Sequence, residues 1–347
     1  MVESGAQRHH ASAMTQDFYQ KNPGAEWLAH RYDPEHDAFQ FHAVDRALRR
    51  SAPFLTDDCL SPSHPPLIVR RGDVAVTDNV VHFLFHSAYC CSTLLANALD
   101  LPGAAMTLKE PVLLNDLVGW RQRGAAPDAV SHVLDHGLSL LARPFEAGEA
   151  TIIKPSNVAN GLATAMMTLR PGAKAILLHA PLDVYLTSIA RKGMTGRLWV
   201  RELLSRQLVD GLVNLGFTPR DYLLHTDLQA AAVGWLAQHR LFATMAERWP
   251  DRVRTLDSER LIADPMGSLE AASAFLNIAL PVDGFATVVD TVFRQNAKDG
   301  TPFEQGQRDE ERRQGQQLHL AEIEQVAVWA QHVARNAGVP MELPLPL

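Results

Sequence analysis

Residues 80–95 combine types and spacing that suit the binding of an anion. They read Val-Val-His-Phe-Leu-Phe, then His-Ser-Ala-Tyr-Cys-Cys, then Ser-Thr-Leu-Leu, which predicts a buried strand, a short turn and an apolar helix. The first N–H groups of a helix lack partners within it, and the helix dipole favours negative charge there. We therefore predict a phosphate- or sulfate-binding turn, with contacts from Ser87, Tyr89, Cys90, Cys91, Ser92 and Thr93.

This segment has two other interpretations, a simple helix start and a nucleotide-hydrolysing loop. Ser92 and Thr93 are residue types that also serve as simple helix N-caps. The motif G-x-x-x-x-G-K-[ST] of ATP- and GTP-hydrolysing proteins is absent, because no Gly or Lys lies between His86 and Ser92. An ordinary nucleotide-hydrolysing enzyme is thus disfavoured.

The elements that must position this turn follow from the pattern of apolar runs. Short apolar runs alternate with longer helical patterns, which is typical of βαβ units. The predicted strands cover residues 80–85, 151–153, 175–178 and 253–256, and predicted helices cover 130–141, 182–191, 200–215 and 229–249. We predict an α/β fold with a doubly wound, mostly parallel sheet flanked by helices, and expect ligands beyond the carboxyl ends of the strands.

The same patterns divide the chain near residue 60. Residues 1–60 are expected to form an N-terminal extension, poorly ordered up to Gly24 and helical from Ala25 to Leu55, with an interruption at Asp33-Pro34. Residues 61–347 are expected to form the α/β domain.

Composition excludes several classes of protein. Of 347 residues, 46% are hydrophobic and 20% charged, which is ordinary for a globular chain, and the net charge of −7 argues against a general nucleic-acid binder. The three cysteines form no Cys-x-x-Cys pattern and include an adjacent pair, so we expect a reduced protein without a metal site. Without an apolar signal core or membrane-spanning run, we expect a cytoplasmic protein with no membrane partner.

The turn resembles the phosphosulfate-binding loop of sulfotransferases, particularly bacterial members in which strand, His, loop and Ser-Thr-Leu-Leu follow one another. The resemblance extends over residues 80–313 and includes a strand, Pro and Asp-Val at 175–184 and a strand with a following Asp-Pro at 253–265. It implies a P-loop-like sulfotransferase fold. It also implies transfer of a sulfuryl group from 3′-phosphoadenosine 5′-phosphosulfate (PAPS) to a hydroxyl or amine of a small-molecule acceptor, without a metal.

Three positions depart from the family pattern. Tyr89 stands where the family usually has Lys or Arg, Cys91 where it generally has Gly, and His179 where it has Arg. Histidine offers no bidentate fork to a phosphate and is largely neutral near pH 7.

The resemblance suggests catalytic roles for three residues. Glu110 is the candidate general base for the acceptor proton, although it could instead be a first-turn carboxylate that complements a helix dipole. Lys109 either neutralises Glu110 or supplies the charge missing at Tyr89. Lys154 follows a predicted strand, so its ammonium should emerge close to the turn.

Five further residues are candidate ligands of the donor's 3′-phosphate. His179 aligns with the family's Arg, and Thr187 or Ser188 with its Ser. Lys298 and Arg308 resemble the late basic loop that closes over the nucleotide.

Two alternative functions are kept. One is an inactive derivative that binds a nucleotide or anion, as Tyr89 and His179 suggest. The other is a P-loop kinase, which the missing Gly-Lys disfavours. No motif specifies the acceptor or the oligomeric state.

Overall fold

Parallel and antiparallel strands form two separate sheets in the computed structural model, which describes residues 24–61, 64–279, 284–294 and 305–347, with side chains after residue 304 described from His319 onward. The strands are β1 (Trp27–Asp33), β2 (Ala38–Ala43), β3 (Leu67–Arg70), β4 (Val81–His86), β5 (Ala105–Lys109), β6 (Ala150–Lys154), β7 (Ala175–His179) and β8 (Val253–Asp257). The last five form a parallel sheet in the order β5-β6-β4-β7-β8.

Helices lie between the strands and follow the last of them along the chain. They are α1 (Arg46–Ser51), α2 (Ser92–Ala98), α3 (Val112–Gln122), α4 (Pro127–Leu141), α5 (Ala163–Leu169), α6 (Leu182–Arg191), α7 (Gly193–Val209), α8 (Pro219–Leu224), α9 (Asp227–Arg248), α10 (Ser258–Ala263), α11 (Pro265–Leu276), α12 (Ala286–Val292) and α13 (Gln305–Ala337). None of those in the described residues is long and apolar enough to cross a bilayer.

The sheet is buried on both faces, which explains why its strands are nearly continuous apolar runs. Along β4, Leu84 belongs to one hydrophobic cluster, whereas Phe83 and Phe85 belong to the other. Successive side chains of a strand point to opposite faces, so both faces of β4 are covered. The predicted α/β fold with a parallel sheet flanked by helices is confirmed.

Strand β5 is missing from the sequence prediction. Its residues, Ala-Met-Thr-Leu-Lys, include four good helix formers, and the run is only five residues long. Pairing with β6, in which Lys109 lies opposite Lys154, overrides this local preference. The consequence for the site is that two lysines end adjacent strands at the same edge.

The predicted helix from Ala25 to Leu55 is wrong. Residues 27–43 form the antiparallel hairpin of β1 and β2, and only Arg46–Ser51 is helical. Phe39 and Phe41 alternate with polar residues, which is the period of a strand, and both are fully buried against the face that holds Phe83. Strand β3 pairs with β2, so this sheet crosses the predicted boundary at residue 60. Residues 1–23 lie outside the described part of the chain.

Helix α7 also differs from its prediction. It covers Gly193–Val209 rather than residues 200–215, and it ends before Gly211, whose φ of 70° requires a left-handed turn.

The buried His82 in the central strand predicts a loss of stability in acid. Burial, aided by Lys174, lowers the pKa of His82 from 6.5 to about 4, and its Nδ1 accepts a hydrogen bond from the Lys174 N–H at 3.1 Å. The unfolded chain therefore binds this proton below pH 6.5 while the folded chain does not, so the free energy of unfolding falls between pH 6.5 and pH 4. At about 1.4 kcal/mol per pKa unit, His82 contributes roughly 3 kcal/mol to this loss.

Urea unfolding at several pH values measures the effect. His82→Asn should flatten the acid dependence, whereas His132→Asn, at an exposed position, should leave it unchanged. Equal pH profiles for the wild type and His82→Asn would contradict the assignment.

Candidate anion-binding site

The loop between β4 and α2 lies at the carboxyl edge of the sheet's middle strand and has an unusual backbone. Ala88, Tyr89 and Cys91 have φ values of 70°, 50° and 61°. Residues other than glycine rarely occupy this left-handed region, and each such residue costs on the order of 1–3 kcal/mol. The surrounding structure must therefore hold the loop in this conformation.

Backbone and side-chain hydrogen bonds attach the loop to the end of β7. The Ser87 N–H donates to Leu178 O at 3.0 Å, and the Ala180 N–H donates to Ser87 Oγ at 3.3 Å. Burial raises the pKa of the Cys90 thiol to about 12, so this thiol keeps its proton and donates to Leu178 O, with Sγ at 3.5 Å.

Two buried amides support the other side of the loop. Asn160 Nδ2 donates to His86 O at 3.0 Å and to Gln238 Oε1 at 2.9 Å. Gln238 Nε2 in turn donates to Ser87 O at 3.4 Å. Sequence analysis missed both residues. The only signal was a glutamine among the apolar residues that α9 buries.

A buried cation lies beside this loop. Lys154 ends β6 with its side chain fully buried, and its Nζ donates to Glu110 Oε1 at 2.5 Å. Glu110 keeps 21% of its side chain exposed, so the pair is reachable from the carboxylate side.

His86 connects this ion pair to the loop. Its Nδ1 accepts from the Ala88 N–H at 3.2 Å, and its Nε2 donates to Pro155 O at 3.1 Å. This pattern fixes a neutral ring with the proton on Nε2. The same Nε2 lies 3.8 Å from Glu110 Oε1.

Glu110 is not a first-turn helix carboxylate. It precedes Pro111, the N-cap of α3, and it has a left-handed φ of 53°. Its N–H donates to Lys154 O at 2.7 Å, which continues the pairing of β5 with β6 by one residue. The first-turn interpretation is therefore wrong, and the backbone turns the carboxylate toward Lys154.

Lys109 has a different set of partners. Its fully buried ammonium donates to Arg50 O at 2.8 Å and to Asn97 Oδ1 at 3.0 Å. Burial lowers its pKa to about 8, although the nearby Asp100 opposes that shift. Lys109 thus joins α1 to the last turn of α2, and the cation that pairs with Glu110 is Lys154.

His179 is at the end of β7, but its buried ring is poorly suited to bind phosphate, because burial disfavours its positively charged form. Burial lowers its pKa, against the influence of Asp257, whose Oδ2 lies 4.0 Å from Nε2. Its ring also meets the buried His239 edge-on, with centroids 5.2 Å apart, and burial lowers the pKa of that ring as well. A neutral His179 gives a phosphate one N–H and no charge.

The remaining nucleotide candidates are positioned as follows. Thr187 Oγ1 donates to Asp183 O at 2.7 Å, and Ser188 Oγ donates to Val184 O at 2.8 Å, so both hydroxyl protons are used within α6. Lys298 and the side chain of Arg308 lie outside the described residues.

The remaining residues of the loop and the start of α2 differ in their burial. Ser92 and Thr93 begin α2 and are buried, whereas the ring of Tyr89 packs on Trp199 of α7. Burial raises the pKa of Tyr89 to about 12, which keeps its phenol neutral.

In the described ranges, no group of three or more His, Cys, Asp or Glu side chains is arranged to hold a metal ion.

No protein-family model and no curated protein matches the chain. Solved structures similar to it include the sulfotransferase domain from the curacin biosynthetic pathway, at 13% identity and a TM-score of 0.43, over 65% of this chain and 81% of that one. Sulfotransferase STF1 from Mycobacterium tuberculosis H37Rv matches at 14% identity and a TM-score of 0.37, over 77% of this chain and 78% of that one. A sulfotransferase from Alicyclobacillus acidocaldarius matches at 14% identity and a TM-score of 0.34, over 59% of this chain and 83% of that one.

Two alanines test whether the left-handed loop stores strain. Ala88→Gly should raise the free energy of unfolding by about 1 kcal/mol, because glycine adopts a positive φ without steric cost. Ala96→Gly, an equally small change in the middle of α2, should lower it by about 1 kcal/mol.

Chemical denaturation of the two variants gives the comparison. Equal destabilisation by both substitutions would show that the loop at Ala88 is unstrained.

Proposed function

We propose that this protein is a sulfotransferase-like enzyme that binds PAPS at residues 87–93 and transfers its sulfuryl group to a hydroxyl or amine of a small-molecule acceptor. The observation that carries the proposal is the left-handed loop at the edge of β4 with the buried Lys154–Glu110 pair beside it. The loop's resemblance to the phosphosulfate-binding loop supports the same conclusion.

The loop and Lys154 would share the binding of the donor's phosphosulfate. The first N–H groups of α2, which have no partners within the helix, and the hydroxyls of Ser92 and Thr93 are suitable donors to its oxygens. Lys154 would add a full positive charge, and its burial reduces screening of that charge by water.

In the transfer step, Glu110 would accept the acceptor's proton and Lys154 would stabilise the negative charge that develops on the leaving group. An incoming phosphosulfate competes with Glu110 for the ammonium, which frees the carboxylate to accept a proton. The acceptor oxygen or nitrogen forms a bond to sulfur and gives its proton to Glu110. The bond between sulfur and the bridging oxygen breaks, and the negative charge left on the bisphosphate is stabilised by Lys154.

A binding protein without transferase activity is the second candidate. Three features favour it: Tyr89 stands in place of the loop cation, burial lowers the pKa of His179, and Lys154 is already paired with Glu110. The first candidate requires both binding of the bisphosphate and consumption of the donor, whereas the second requires only that a nucleotide or anion bind.

Thermal-shift titration separates these functions. Adenosine 3′,5′-bisphosphate should raise the melting temperature, because a ligand that binds only the folded state adds about 2.7 kcal/mol at one hundred times its Kd. Stabilisation by ATP with Mg²⁺ and none by the bisphosphate would instead indicate a kinase. If the bisphosphate binds but labelled PAPS is not consumed with a broad acceptor panel, the binding-protein alternative is correct.

Two buried lysines on adjacent strands give a matched pair of variants. Lys154→Met should weaken bisphosphate binding by about 1.5–3 kcal/mol, roughly 10- to 150-fold, the scale of a charged hydrogen bond. Lys109→Met makes the same change one strand away and should lower stability with little effect on affinity, since its ammonium contacts Arg50 and Asn97.

Isothermal titration calorimetry on the folded variants measures both affinities. An unchanged affinity in Lys154→Met would remove this lysine from the donor site.

A further inference from the structure

The side chain of Tyr89 leaves the loop for the corner between α6 and α7. Its ring packs on Tyr185 of α6, with centroids 6.0 Å apart, and edge-on against Trp199 of α7 at 5.2 Å. These two contacts fix the ring at the rim of the loop. Tyr89 therefore presents an aromatic ring at the position where the sulfotransferases that the loop resembles usually have Lys or Arg.

A lysine from the helix corner covers that face. Lys192 is the C-cap of α6, directly before Gly193 begins α7, and its Nζ lies 5.7 Å from the centroid of the Tyr89 ring. This distance is within the range of a cation–π contact. The corner thus brings a positive charge to a loop whose own sequence lacks one.

The ammonium of Lys192 can move from the ring to an anion. The side chain is exposed, and no carboxylate in the described part of the chain forms an ion pair with it. A cation–π contact at an exposed site is weaker than a charge-assisted hydrogen bond to phosphate. Lysine carries its charge on a flexible four-carbon stem, so a bound anion would draw the ammonium off the ring.

The ammonium groups of the two other lysines near the loop, Lys109 and Lys154, already have hydrogen-bond partners within the protein. Lys154 is held by Glu110, and Lys109 by Arg50 and Asn97, with both ammonium groups buried. Using either on the donor first requires breaking a buried interaction. Lys192 requires only a rotation of its side chain.

We propose that Lys192 is a donor-binding residue that supplies, from the α6–α7 corner, the positive charge that Tyr89 does not provide. The Tyr89 ring keeps the ammonium beside the loop until an anion binds. This inference rests on the proposed function, because it takes the phosphosulfate group of the donor as the anion.

A double-mutant cycle tests the proposal. Lys192→Met should weaken binding of adenosine 3′,5′-bisphosphate, measured by calorimetry, by about tenfold or more. Tyr89→Lys, which restores a cation within the loop, should recover that affinity when combined with Lys192→Met. A residue that only supports the fold would not be replaced by a charge placed at Tyr89.

Arg191→Gln is the matched control, since it removes the neighbouring exposed cation from the same helix end. Its affinity should stay close to that of the wild type. Equal losses in Arg191→Gln and Lys192→Met would indicate a general charge effect and overturn the assignment to Lys192.

The outcomes also separate this inference from the proposed function. If the wild type binds the bisphosphate and Lys154→Met does not, but Lys192→Met binds normally, the Lys192 assignment fails and the donor site stands. If the wild type binds neither the bisphosphate nor inorganic pyrophosphate, both are wrong.

Discussion

The site depends on one buried charge. Lys154 ends a strand in the interior of an α/β sheet, where an ammonium is stable only if it is paired and hydrogen-bonded, and Glu110 provides that pairing. Loss of one partner from a buried ion pair typically costs about 3–5 kcal/mol. The left-handed turn at Glu110 and the pairing of β5 with β6 both direct the carboxylate to the lysine. The chain thus keeps a cation out of water at the carboxyl edge of the sheet, beside the loop that follows β4.

The loop beside that cation is held from both sides. Ser87 and Cys90 attach it to β7, while Asn160 and Gln238 donate to the carbonyl oxygens of His86 and Ser87. These buried hydrogen bonds offset the cost of three left-handed residues, none of which is glycine. A loop held in one conformation in this way would lose little conformational entropy if it bound a ligand.

The elements that the sequence predicted well are those whose local pattern agrees with their environment. The runs that became β4, β6, β7 and β8 are apolar because both faces of the sheet are buried, and helix α6 covers the predicted residues 182–191. The prediction failed at β5 because pairing with the distant β6 overruled the local preference for helix. The hairpin of β1 and β2 did leave a local signal, the alternation of Phe39 and Phe41 with their neighbours, and the predicted helix over residues 25–55 overlooked it.

The sequence by itself determined the class of fold and the place of the loop, because hydrophobic periodicity and the order of strand, turn and helix are local properties of the chain. It also named Glu110 and Lys154 as candidates. Only the tertiary structure decided that these two residues pair, that Lys109 instead joins α1 to α2, and that Lys192 lies over the Tyr89 ring. Such contacts join residues far apart in the chain, and they are set by the register of the sheet and the packing of helices on it.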